Sequence, residues 1–209
     1  MGTAKEVAPR TAIHPTKQTL IDTVLALMEK KSVEQISSDE VLEISNSSKG
    51  SLYHHFEDFP ELLEHAMVAR FAKWVDYSVG VMNQILQSSN SREEMLSGLK
   101  QVTRHTQSLE LQPQRFERVK TVGHAVNNPR MRVNLGLEQE RLTEALSDLF
   151  REAKERGWAN KKIDARTVAV LVQAYTMGKV VDDFTPRQMD PAAWELLIDE
   201  ILEKVLFAV

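Results

Sequence analysis

The 209-residue chain contains no cysteine. Disulfide scaffolds, thiolate metal sites and cysteine nucleophiles are therefore excluded, and the composition fits a reducing compartment. Glycine (8) and proline (7) are scarce. An all-β fold rich in tight turns needs more of both, so the balance points to helices. No run of about 18 apolar residues occurs, which leaves no candidate membrane span. The opening residues MGTAKEVAPRTAIHPT lack the apolar core of a signal peptide and read as a lead-in. A cytoplasmic protein without membrane contact is expected. A basic excess is missing too: the net charge is -4. Taken alone, that disfavours nucleic acid, because a basic footprint usually supplies much of the affinity.

Catalytic signatures are also absent. The sequence holds no G-x-S-x-G, no phosphate-binding glycine loop and no H-E-x-x-H. His54 and His55 are adjacent, so a helix does not turn both toward one metal ion. Glu61, Glu64 and His65 make a single E-x-x-E-H, whereas a di-metal helical bundle requires two E-x-x-H sets. No enzyme, cofactor or metal is expected.

What is present is ordinary globular material, 42% hydrophobic and 27% charged, long enough for one or two compact units. It reads as about nine consecutive helices. Thr16 is placed to cap the first, whose Leu20, Ile21, Val24, Leu25, Leu27 and Met28 share a face. Ser37-x-x-Glu40 is a capping box for a short second helix, with Val41, Leu42 and Ile44 as its buried side. Ser45-Asn46-Ser47 breaks it, and a third helix runs from about Ser48 to His55. Asp58 before Pro60 opens a long fourth helix, to about Leu86. Ser91, Pro113, Asn128-Pro129, Asp164 and Asp190-Pro191 open five more, the last two spanning 164–183 and 190–206. The composition changes near residue 57, from three short helices to six longer ones. That predicts an arm and three-helix domain over 1–57 and a larger helical domain over 58–209.

The segment Ile44 to Phe56, ISNSSKGSLYHHF, carries the most information. A turn of three or four residues between two short helices is the helix-turn-helix layout. The segment holds one lysine and no acid, and is dense in short hydrogen-bonding side chains suited to phosphates and base edges. Gly50 leaves room for a groove wall to approach, while Leu52 and Phe56 face inward. The same residues also suit plain capping chemistry and an ordinary surface. A helical interaction module that binds no DNA is therefore the alternative reading.

Residues 16–70 resemble the DNA-binding domain of the TetR family of bacterial transcriptional regulators. Ser48-Lys49-Gly50-Ser51-Leu52-Tyr53-His54-His55-Phe56 is similar to the family's recognition-helix signature. Leu62 matches the leucine that opens its fourth helix. Thr16 to Met28, then Ser37 to Val41, match in order and spacing. Three positions depart from the pattern: Asn46 stands for the usual turn glycine, Ser47 for an apolar turn residue, and Phe59 for a phosphate-contacting lysine. The resemblance implies a double-stranded DNA operator as partner. Ser48, Lys49, Gly50, Ser51, Tyr53 and His54 would lie at or near the major groove, Tyr53 and His55 would contact phosphate, and Thr16, Lys17 and Ser38 would hold the backbone from the flanks.

Beyond residue 70 the resemblance rests on helix number, size and amphipathic pattern. It implies a homodimer through the last two long helices, with Val168, Leu171, Val172, Tyr175, Trp194, Leu197, Ile198, Ile201 and Val205 supplying apolar area. It also implies a pocket for a small, hydrophobic effector, with Phe71, Trp74, Tyr77, Met82, Phe116, His124, Met131 and Met177 as candidate walls. His105 and His124 are candidates to orient the effector. The expected activity is that of a repressor on a palindromic operator, released by its effector. The charges qualify how such a protein binds. Residues 1–60 hold 6 Lys and Arg against 9 Asp and Glu, so few ionic phosphate contacts and a shallow salt dependence are expected.

Overall fold

A computed structural model describes residues 14–208. The arm charges Lys5 and Arg10 lie outside the described residues. The fold is all-α. By its internal contacts the chain divides into two compact units, the first ending at Arg70 and the second beginning at Phe71.

In the first unit, α1 (Pro15–Met28) packs against both α2 (Ser38–Ile44) and α3 (Lys49–His55). A single 3-10 turn, Val33–Gln35, lies between α1 and α2. Leu20, Val24 and Val41 are fully buried, with Leu52 and Phe56 almost so. Each such side chain contributes about 1.5–3 kcal/mol by leaving water. The caps follow the local sequence: Ser37 Oγ accepts from the Glu40 amide (3.3 Å) and Ser48 Oγ from the Ser51 amide (3.1 Å). One cap moves from its expected place. His14, not Thr16, caps α1, its Nδ1 accepting from the Thr16 amide at 3.2 Å. Pro15 explains the shift. It has no N–H to satisfy, and its fixed φ suits the first helical position. Ile44 also departs from expectation: it is 59% exposed, not on the buried side. Helix α2 has only seven residues, and its packing against α1 centres on Val41.

Helix α4 (Phe59–Ser88) belongs to both units. The Asp58 carboxylate accepts from the Glu61 amide at 2.7 Å at its start. The second unit then adds α5 (Arg92–Gln107), α6 (Gln112–Val126), α7 (Pro129–Glu155), α8 (Ala165–Gly178), α9 (Val180–Asp183) and α10 (Pro191–Ile201). A π-helical turn, Leu202–Leu206, extends α10. The expected helix 164–183 is thus interrupted at Lys179, where α8 ends beside Gly178, a poor helix former. Helix α7 makes the most extensive packing contact of this unit, along α8. Leu142, Leu146, Leu149 and Phe150 of α7 are buried, as are Val168 and Ala169 of α8. Gly157, at φ +75°, ends the chain reversal after α7 in a conformation that glycine adopts without steric cost.

An ion pair buried in this unit ties α6 to α9. Arg115 and Asp183 are both shielded from solvent, and the guanidinium grips the carboxylate with two bonds, Nε–Oδ2 at 2.9 Å and Nη2–Oδ1 at 3.1 Å. Arg115 Nη1 also donates to the carbonyls of Thr106 (3.3 Å) and Ser108 (2.8 Å), and Lys179 Nζ stands 3.2 Å from Asp183 Oδ1.

Candidate nucleic-acid interface and ligand cavity

The turn between α2 and α3 depends on Asn46. Its φ of 50° is left-handed, a region that asparagine tolerates better than most non-glycine residues. The chain then enters α3 with Ser48 as cap. Leu52 and the following Phe56 are buried against the unit. Lys49, Gly50, Tyr53 and His54 of α3 are exposed, and Ser51 and His55 are half-buried. Tyr53 is 57% exposed. Ser38 is half-buried at the start of α2.

The first turn of α1 meets the last turn of α3. Lys17 Nζ lies 4.9 Å from the centroid of the Phe56 ring. The His14 and His55 rings are 4.7 Å apart, and those of His54 and His55 4.9 Å. This convergence brings Lys17, His54 and His55 together and adds His14, which sequence reasoning missed. The only signal for it was its place before Pro15. The His55 imidazole is pushed below its ordinary value, first by burial and then by repulsion from His14, His54 and Lys17. Four nitrogenous side chains thus concentrate potential positive charge at one edge of a unit that is not basic overall. Such an edge suits an anion.

Within the second unit lies a cavity of about 430 Å³, a size typical of small-molecule sites. Helices α4, α5, α7 and α8 line it. Trp74, Tyr77, Met82 and Met177 are on its wall, as is His105. Phe71, Phe116, His124 and Met131 are not. Phe71 and Met131 are buried in the core, and Phe116 stacks on Phe184 at 4.7 Å. The wall also includes Gln139, Leu142, Leu146, Phe150, Gln173 and Thr176, which pattern reading had assigned to the core or passed over. No lining residue is Asp, Glu, Lys or Arg. Behind Trp74, Arg118 Cζ sits 4.4 Å from the indole centroid. The Arg118 Nε and Nη2 have no hydrogen-bond partner although the residue is buried. Burial and the neighbouring Arg115 push its pKa down to about 10.

The helices expected to pair across a dimer present a mixed face. Leu171, Leu197 and Val205 are exposed, while Val172, Tyr175, Trp194 and Ile201 are half-buried. Val172 and Tyr175 also line the cavity. Val168 and Ile198 are buried within the unit itself. Val170, Leu196 and Phe184 add exposed apolar surface beyond that set. Among the described residues, no group of three or more His, Asp or Glu side chains is placed to hold a metal ion, and no helix is long and apolar enough to cross a membrane.

Comparison with known structures places this arrangement. The chain superposes on GusR of Salmonella enterica with a TM-score of 0.62 at 20% identity, covering 93% of this chain and 98% of the other. It matches E. coli NemR in its reduced form at 0.62 and 18% identity, covering 94% and 99%. It matches a protein described as a TetR-family transcriptional regulator from Mesorhizobium loti at 0.66 and 16% identity, covering 90% and 93%. The chain has the fold of TetR-family regulators. No protein-family model and no curated protein sequence matches it. At these identities it is the three-dimensional path that is shared, and the function must be argued from the sites.

Proposed function

We propose that this protein is a DNA-binding transcriptional regulator that acts as a homodimer on a palindromic operator and releases it when a small hydrophobic effector binds. The observation that carries the reading is α3. It is a short helix anchored by buried Leu52 and Phe56, and it leaves Lys49, Gly50, Tyr53 and His54 exposed and Ser51 half-buried, with no acid between Ile44 and Phe56. Phosphate contacts from Thr16, Lys17, Ser38, Tyr53 and His55 position the helix, and base-edge contacts from Ser48, Lys49 and Ser51 select the site. Exposed Leu171, Leu196, Leu197 and Val205 support pairing of α8 and α10 with a second copy, which supplies the second half-site reader. A domain division near residue 57, with the reader before it and the effector and pairing surfaces after it, is part of the same reading.

The effector acts by favouring a dimer whose two α3 helices no longer match the half-site spacing. A hundredfold loss of operator affinity needs about 2.8 kcal/mol of differential binding. The test is fluorescence anisotropy with a palindromic duplex from the region upstream of the protein's own gene. Lys49→Ala weakens binding by about 1–3 kcal/mol and relaxes the choice of base at one position, and Tyr53→Phe weakens it without changing the site preference. Unchanged affinity in both variants removes α3 as the reader. A monomer at micromolar concentration by light scattering removes the dimer.

A further inference from the structure

The cavity in the second unit is more selective than its apolar walls suggest, because three of its hydroxyl groups, those of Ser78, Thr106 and Thr176, have already committed their hydrogens. A serine or threonine hydroxyl has one hydrogen to donate and lone pairs to accept with. Ser78 Oγ donates to the Trp74 carbonyl at 2.9 Å, Thr176 Oγ1 to the Val172 carbonyl at 2.7 Å, and Thr106 Oγ1 to the Thr103 carbonyl at 3.1 Å. Each bond closes back on the preceding turn of the same helix, a common habit of these residues. Gln173 is spent in the same way. Its Nε2 donates to both Thr143 Oγ1 (3.1 Å) and the Ala169 carbonyl (3.0 Å), and its Oε1 accepts from Gln139. The Tyr175 hydroxyl is engaged with Thr103, and burial raises its pKa, so it stays un-ionised. The oxygen surface that Ser78, Thr106, Thr176 and Gln173 give the cavity can therefore accept hydrogen bonds but has little left to donate. Other donors on the wall, Ser88, Gln84, Gln101 and His105, belong to exposed residues.

We propose that this cavity takes an uncharged, largely apolar molecule carrying an O–H or N–H donor, such as a phenol or an alcohol, and rejects carboxylates and amines. The proposal rests on the reading of this cavity as the effector site and names the class of effector. A carboxylate brings only lone pairs to the accepting oxygens of Ser78, Thr106 and Thr176, and no lining Lys or Arg offsets its charge. An ammonium has hydrogens to give but meets no carboxylate, and burying its charge unpaired is costly. A neutral hydroxyl matches the wall at the least desolvation cost, and the apolar body fills the space against Leu142, Leu146 and Met82.

Four congeners of one skeleton test this: 4-propylphenol, 4-propylanisole, 4-propylbenzoate and 4-propylbenzylammonium, titrated at pH 7.5 against the full chain without DNA, with quenching of tryptophan fluorescence and calorimetry as readouts. The phenol is expected to bind saturably. The anisole, which cannot donate, is expected to be roughly 3–10-fold weaker. The benzoate and the ammonium are expected to be at least about 100-fold weaker. In at least one of Ser78→Ala, Thr106→Val and Thr176→Val, with folding verified by circular dichroism, the phenol should lose its advantage over the anisole. The proposal is overturned if the benzoate or the ammonium binds as tightly as the phenol, if the anisole equals it, if no variant narrows the gap, or if no congener binds saturably. A separate anisotropy measurement on the operator duplex tests the underlying reading. A phenol that binds as expected but leaves DNA affinity unchanged supports the ligand class and removes the effector role.

Discussion

Replacing Asp183 by alanine tests the energetic reasoning most directly. In the native protein its carboxylate neutralises Arg115 through two bonds, 2.9 and 3.1 Å, and lies 3.2 Å from Lys179 Nζ. The Arg115 side chain has no exposed surface and that of Lys179 only 10%. Removing the carboxylate leaves two cations facing each other away from water, with the carbonyls of Thr106 and Ser108 as Arg115's remaining partners. Breaking one half of such a pair costs about 3–5 kcal/mol. For a chain of this length, at about 2–4 °C per kcal/mol, that is a fall in Tm of about 6–20 °C. The three tryptophans, Trp74, Trp158 and Trp194, all lie in the second unit, so urea unfolding followed by tryptophan fluorescence reports on the unit concerned. The double variant Arg115→Met with Asp183→Leu should recover part of the loss, by removing the unpaired guanidinium, and not all of it, because Lys179 and the carbonyls of Thr106 and Ser108 lose their partners. The pH dependence supplies a second arm. Burial opposes ionisation of Asp183, but Arg115 and Lys179 outweigh it and hold the carboxyl below its ordinary value. A lowered carboxyl pKa gives stability that is complete above the unfolded value, near 4, and is lost as pH falls through the folded value. The gap between wild type and Asp183→Ala should therefore close in acid. A loss below about 1 kcal/mol at pH 7, or a gap that persists in acid, refutes the reasoning.

Arg118 predicts the opposite sign. Its Nε and Nη2 are buried without partners, so Arg118→Met should leave stability unchanged or raise it by about 1 kcal/mol or more in the same urea assay, and a loss above about 2 kcal/mol would show that its stacking on Trp74 outweighs desolvation. DNA affinity should rise as pH falls from about 8 to 6. His55 resists protonation in the free protein because of burial and the nearby His14, His54 and Lys17, whereas a phosphate would favour its charged form. Anisotropy at constant salt should show this rise, and His55→Asn should flatten it; a flat wild-type profile rules out imidazole–phosphate contact. The salt slope should be modest. With Lys17 of each protomer as the lysine on phosphate, two counterions leave, giving a log–log slope of about -1.8, and a slope beyond about -4 would mean that other cations bind.

The helix ends were legible because capping is local. Ser37, Ser48, Ser91, Asn128, Asp164 and Asp190 each accept from an amide two or three residues on, and residues this close in sequence meet whatever the rest of the chain does. The buried side of α3 could be read for the same reason: Leu52 and Phe56 recur at a helical step, whereas the exposure of Lys49 and Tyr53, which flank that stripe, was not fixed by the spacing. Side chains buried by only one or two helices misled. Ile44 has the composition of a core residue, yet the helix it ends is too short for it to reach another element. The break at Lys179 carries only a weak local mark in Gly178.

Sequence by itself determined that this chain is helical, where most helices begin, and which short segment presents hydrogen-bonding groups free of acid. Tertiary structure alone decided that His14 joins His54 and His55, and that Arg115 of α6 meets Asp183 of α9, 68 positions away. It also decided that Trp74, Tyr77, Met82 and Met177 face a cavity while Phe71 and Met131 face the core. An apolar side chain at a helical spacing must turn inward to leave water. Whether it meets another side chain or an enclosed space depends on how closely the neighbouring helices approach, and no single helix encodes that distance.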